Sequence, residues 1–104
     1  MPQFDVYPNP DRTSRAQYPF VICLQSGLLA DRASQVVAPL VPRRDLATAT
    51  SRLAPVVRID DADYAVLVTS LETLPTGLLS RRIANLSRYR DSLLGAIDLL
   101  FYGV

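Results

Sequence analysis

All eight prolines of this 104-residue chain (Pro2, Pro8, Pro10, Pro19, Pro39, Pro42, Pro55 and Pro75) lie before position 76. Nothing downstream withholds a backbone N–H from an i to i−4 ladder, so the tail third is free to coil while the rest is repeatedly interrupted. Leu79, Ile83, Leu86, Leu93, Ile97 and Leu100 fall on one stripe at three- and four-residue steps, skipping only Arg90. That is the pattern of a helix with one buried face. Ser87 can act as an N-cap, which divides the region into a short helical turn over Leu78–Asn85 and a main helix over Ser87–Phe101. Beyond Leu93 the apolar surface widens, since Leu94 and Phe101 fall outside the stripe. One sheet face does not cover both, and an exposed apolar patch marks a partner site. Asp98 is the only charge between Leu93 and Val104, an apolar finish where a polar, frayed one is the rule.

The proline-bearing part reads as strands. Gln3–Tyr7 alternates as a half-buried strand, ended by the turn Pro8–Asp11, and Arg12–Gln17 is an exposed loop. Tyr18–Gln25 holds a continuous apolar run with β-branched Val21 and Ile22, a central strand covered on both faces. Ser26–Ala33 is a loop that carries an unusual apolar pair, Leu28 and Leu29. Gln35–Val41 is a third strand, which Pro39 assigns to an edge or a bulge. Leu46–Ala54 is weakly patterned loop, and Pro55–Ile59 with Tyr64–Leu71 forms a hairpin across the four-residue loop Asp60–Asp63. Strands first and one helix last give an α+β, mainly β domain spanning residues 1–104, a small antiparallel sheet or barrel capped by a C-terminal helix.

Composition removes many functions. Eleven basic residues against ten acidic give a formal charge of +1, so no global field recruits nucleic acid or an anionic membrane. Histidine is absent, which excludes Ser-His and Cys-His nucleophile pairs, His-ligated zinc and a histidine general base. Cys23 is the only cysteine, and within Phe20–Leu24 it reads as a small buried hydrophobe. No targeting segment and no membrane span is evident, so a soluble, cytoplasmic chain without cofactor is expected.

Three features invite chemistry. Asp60, Asp61 and Asp63 cluster as hard-cation ligands do, yet no glycine provides the sharp turn of a cation loop, so a plain hairpin turn is expected. Arg81, Arg82, Arg88 and Arg90, with Arg43 and Arg44, could face phosphate or carboxylate, but no glycine-rich cradle or interleaved aromatics accompany them. Phe101-Tyr102-Gly103-Val104 is either the end of a core or dimer seam, or a compact anchor in which tyrosine supplies area and a π face.

Six segments in register resemble the CcdB family of toxin-antitoxin gyrase poisons. They are Gln3-Phe4 with Val6-Tyr7, Leu24-Gln25-Ser26, Val37-Ala38-Pro39-Leu40, Leu53-Ala54-Pro55-Val56-Val57-Arg58-Ile59, Ile83-Ala84-Asn85-Leu86-Ser87 and Leu99-Leu100-Phe101-Tyr102-Gly103-Val104. The resemblance implies an SH3-like barrel with a C-terminal helix, a homodimer and no catalytic activity. It further implies a toxin that binds the DNA gyrase A subunit and traps gyrase on cleaved DNA, is neutralised by a cognate antitoxin, and reaches its own promoter only through that antitoxin. The family's gyrase-contacting tail maps onto Tyr102, Gly103 and Val104, with Phe101 and Asp98 before them and Leu28 and Leu29 beside them. Two residues depart from the family pattern. Tyr102 stands for a tryptophan, the better partner for a cation, and Asp98 for an asparagine, which adds a charge that repels an acidic surface or seeks a basic one. A ribonuclease like the Kid and MazF toxins on the same barrel, and a non-toxic antitoxin-binding module, are the alternatives.

Overall fold

The computed structural model describes residues 3–26, 33–46 and 52–103. Seven strands are found among them: β1 Asp5–Pro8, β2 Phe20–Cys23, β3 Ser34–Pro42, β4 Val56–Ile59, β5 Ala62–Val66, β6 Glu72–Pro75 and β7 Ala84–Asn85. A single α-helix follows, α1 Arg90–Tyr102. All pairings are antiparallel, in the order β4-β5-β3-β2-β1-β7 with β6 on β3, and the sheet curls into a nearly closed barrel capped by α1. The α+β, SH3-like expectation therefore holds, with two more strands than the pattern suggested.

Both faces of the central strands are covered. Val6 pairs with Ile22, and Ile22 with Ala38, on the face that looks into the barrel. There Phe4, Val6, Ile22, Leu40, Val57, Val66, Leu86 and Leu93 form the main core beneath α1. Neighbouring residues alternate to the opposite face, where Tyr7, Val21, Cys23, Val37 and Leu79 form a smaller second core. Asp5 and Tyr7 are both buried, so β1 is covered on two sides and is not the half-buried strand its alternation suggests.

β3 is the hub, pairing with β2, β5 and β6. Pro39 therefore lies in a central strand and not at an edge. Its carbonyl accepts the Leu67 N–H at 3.0 Å, so its donorless nitrogen faces the gap between the β6 and β5 pairings, where no ladder bond is missed. The hairpin is also tighter than its sequence implies. Ile59 pairs with Ala62, leaving a two-residue turn, and Asp60 and Asp61 both adopt positive φ (49° and 68°), as a type I′ turn requires. Aspartate tolerates this region better than most residues because its short polar side chain can hydrogen-bond to the local backbone. The Tyr64–Leu71 segment divides as well: β5 ends at Val66, a 3-10 turn spans Val68–Ser70, and β6 begins at Glu72.

The helical turn expected over Leu78–Asn85 is absent. A 3-10 turn occupies Thr76–Leu78, and Ala84–Asn85 pairs with β1 as β7. Leu79 is buried in the second core and Leu86 in the main one, so their helical spacing reflects two burials on opposite sides of the sheet. Asn85 fixes this junction: its Nδ2 donates to Asp5 Oδ1 at 2.7 Å, and its Oδ1 accepts the Ser87 N–H at 3.0 Å. The buried Asp5 carboxylate also meets Arg82 at 3.5 Å and accepts from Tyr7 Oη at 3.4 Å.

Ser87 does not cap the helix. Ser87–Tyr89 is a 3-10 turn, and α1 starts at Arg90 without a side-chain cap. That turn closes the barrel against β4. Arg58 donates its N–H to Tyr89 Oη at 3.1 Å, and Arg88 Nη2 donates to the Arg58 carbonyl at 2.8 Å, so side chains satisfy backbone groups of an edge strand. Arg88 also lies over the Tyr89 ring, 4.9 Å from its centroid. No helix of the described residues is long and apolar enough to cross a membrane.

Candidate functional site

The site builds from the direction in which α1 leaves the barrel. Leu93 and Ala96 are fully inside, Leu94 and Ile97 pack partly against the core, and Leu99 and Leu100 are half-buried. One turn later the helix has run past its support: Phe101 is 64% exposed and Tyr102 77%. Two adjacent aromatics on solvent are costly for a chain to maintain unless another surface covers them. Asp98 is exposed on the same stretch.

Gly103 ends the helix in the left-handed region, with φ 73°, and donates its N–H to the Leu99 carbonyl at 3.0 Å. A Cβ at Gly103 would meet nothing within 4 Å, so the conformation, and not crowding, calls for glycine. The glycine thereby sets the angle at which the chain leaves the two aromatics. Asp98, Phe101, Tyr102 and Gly103 thus come together on one exposed helix end. Leu28, Leu29 and Val104, the other expected members of the site, lie outside the described residues.

A feature that the apolar pattern does not reveal lies along the exposed side of α1. Asp91, Gly95, Asp98 and Tyr102, spaced four, three and four residues apart, are all exposed and share one face. None of the ion pairs among the described residues involves Asp91 or Asp98. Beside them a cavity of about 250 Å³ is lined by Arg52, Pro55, Asp91, Ser92, Gly95 and Ala96. Reading polar residues at helical spacing, as the apolar ones were read, would have found this face.

The remaining groups offer little chemistry. Cys23 is buried, and burial first and the Asp5 charge second push its thiol up to about 11, which keeps it protonated and inert. Tyr7 is raised for the same two reasons. Asp60 and Asp61 serve the turn, Arg58 bonds Asp63 at 3.4 Å, and no metal-binding group of three or more His, Cys, Asp or Glu occurs among the described residues. The arginines are dispersed: Arg82 is held by Asp5, Arg58 and Arg88 by the barrel edge, and Arg44 by Asp45 at 3.9 Å. What the arrangement offers is a binding surface.

Comparison with protein families agrees with the resemblance drawn from the six segments. The family model described as CcdB protein matches residues 3–103, nearly the whole chain.

Proposed function

This chain belongs to the CcdB family of toxin-antitoxin toxins, and from that premise we propose that it binds the DNA gyrase A subunit and traps the gyrase-DNA cleavage complex. The exposed Phe101 and Tyr102 at the end of α1 carry the reading. A toxin of this kind acts by gripping. It prefers the cleaved state of its target, and differential affinity alone then raises that state's population. Tyr102 and Phe101 supply aromatic area, Asp98 a charge and Gly103 the exit angle, with Leu28, Leu29 and Val104 as further contacts.

The same reading includes a homodimer that presents two such ends, since closed two-fold pairing is the commonest arrangement for a patch of this kind. It also includes a cytoplasmic location, neutralisation by a cognate antitoxin, and repression of the module's promoter through that antitoxin. No catalytic step is assigned to the chain itself.

The test mixes purified protein, gyrase from its own host, supercoiled DNA and ATP, then denatures and digests the protein. Accumulation of linear DNA is expected, and its loss on removal of Tyr102-Gly103-Val104. If no linear DNA forms with the intact chain while antitoxin still binds tightly, the molecule is an antitoxin-binding module and the gyrase reading fails.

A further inference from the structure

We infer that residues 76–83 form a strap that swings off the sheet by itself, baring the second core while the main core beneath α1 stays folded. The inference holds whatever the target is, because it concerns the opposite face of the sheet.

The second core is built almost wholly from the sheet. Tyr7 lies on β1, Val21 and Cys23 on β2, Val37 on β3 and Leu74 on β6, which leaves Leu79 as the one member supplied from outside the strands among the described residues. Leu79 is buried, whereas Gly77, Leu78, Ser80, Arg81, Arg82 and Ile83 around it all face solvent. One leucine side chain therefore holds the segment down.

The ends of the strap are pinned and its middle is not. Thr76 donates its N–H to the Ala33 carbonyl and Ile83 its own to the Val6 carbonyl, each at 2.8 Å. Between them the Leu79 N–H bonds the Thr76 carbonyl at 3.0 Å, within the strap itself, and no backbone hydrogen bond from residues 77–82 reaches a strand among the described residues. Segments with few buried apolar contacts and no ladder bonds are those that open below the free energy of global unfolding.

The polar groups point the same way. Arg82 meets Asp5 at 3.5 Å, with the guanidinium side chain 57% exposed and the carboxylate 2%. Opening returns the guanidinium to water, while Asp5 keeps the Asn85 Nδ2 donor at 2.7 Å, which lies on β7 beyond the strap. The closed form also carries a cost. Gln35 is buried opposite Leu74, two residues before Val37 and so on the same face of β3, and its Nε2 has no hydrogen-bond partner. A buried amide without a partner forfeits its hydration, and water admitted by opening restores it. One leucine and one half-exposed ion pair thus close the strap against an unpaired amide.

Cys23, the single cysteine, is fully buried in the second core and serves as the reporter. Its labelling by N-ethylmaleimide is followed by mass spectrometry in the full chain, at one protein concentration and at urea levels below the unfolding transition, with global unfolding followed by circular dichroism. Labelling through the strap should depend on urea far less steeply than global unfolding does, because that slope scales with the surface exposed. Leu79→Ala should speed labelling about thirtyfold or more, and Arg82→Gln severalfold. Ile59→Val trims the main core, so it should lower global stability and leave the labelling rate unchanged. If Leu79→Ala does not fold, Arg82→Gln and Ile59→Val decide the matter. Labelling with the urea slope of global unfolding, or faster in Ile59→Val in step with its lost stability, would overturn the strap, since Cys23 would then be reached only by unfolding the whole domain. A shallow slope that neither Leu79→Ala nor Arg82→Gln moves would overturn it as well, because the thiol would be reached by another route.

Discussion

Replacing Tyr102 and Leu93 separately by alanine divides α1 into a half that holds the fold and a half that reaches outward. Leu93 is fully buried in the main core, and truncating such a leucine costs about 3–5 kcal/mol in lost transfer energy and cavity. Tyr102 is 77% exposed, so it buries about a quarter of its surface. If a fully buried aromatic costs about 3–5 kcal/mol to remove, Tyr102→Ala should cost about 1 kcal/mol. For a domain of this size each kcal/mol moves Tm by roughly 4–8 °C. Leu93→Ala should therefore melt roughly 12 °C or more below the wild type, and Tyr102→Ala within about 8 °C of it. Circular dichroism melts at one fixed protein concentration separate the two, since any self-association makes Tm depend on concentration. Growth inhibition on overexpression should be lost in both, through unfolding for Leu93→Ala and with the fold intact for Tyr102→Ala. A loss of about 3 kcal/mol in Tyr102→Ala would refute the reasoning, because the ring would then be a structural element and not a free contact.

Other outcomes follow from particular residues. Asp61→Gly should stabilise the protein by about 0.5 kcal/mol in urea unfolding, because Asp61 holds φ 68° and glycine occupies that region freely; a clear destabilisation would contradict the type I′ assignment. Gly95→Ala should add up to about 1 kcal/mol by the same measurement, since the added methyl meets nothing and glycine weakens a helix interior. Asn85→Ala should cost about 2–3 kcal/mol, because the buried Asp5 carboxylate loses its 2.7 Å donor. Alkaline stability should depend on Cys23. Its thiol is raised from 9.0 to about 11 by burial, so the stability it contributes is complete below pH 9 and is lost as pH rises toward 11. That loss amounts to about 2–3 kcal/mol, and unfolding curves of Cys23→Ala should be flatter over this window, with Tyr7 responsible for the slope that remains.

Much of the barrel was legible because burial leaves a periodic trace. β2 reads as an unbroken apolar run since the main core lies on one side of it and the second core on the other. The hairpin was visible from its two apolar runs, but its length was not. Asp60-Asp61 adopts a turn that Asn-Gly would have announced, and three nearby aspartates look like a longer loop. β6 and β7 were hidden because strands of four and two residues carry no measurable period, and Pro75 lies within one of them. Pro39 misled because its consequence depends on which neighbour its nitrogen faces, which only the pairing of β3 with both β5 and β6 decides. At the site, the surplus of apolar residues after Leu93 signalled exposure correctly at Phe101 but not at Leu94, which packs partly against the core while Phe101 and Tyr102 have no core left to enter. The relation of Asp98 to Tyr102 was harder to see. It depends on α1 continuing unbroken to Tyr102, one residue beyond the expected end, and on the helix's own last turn carrying no basic residue.

The central claim is that this molecule acts by binding through the outward end of its helix. Calorimetric titration of the host's gyrase A subunit with the wild-type chain and with a chain truncated after Phe101 tests it most directly. The account predicts saturable heat for the wild type and none for the truncated chain, whose unfolding free energy stays within about 1 kcal/mol of the wild type. Equal binding by the two chains would contradict it.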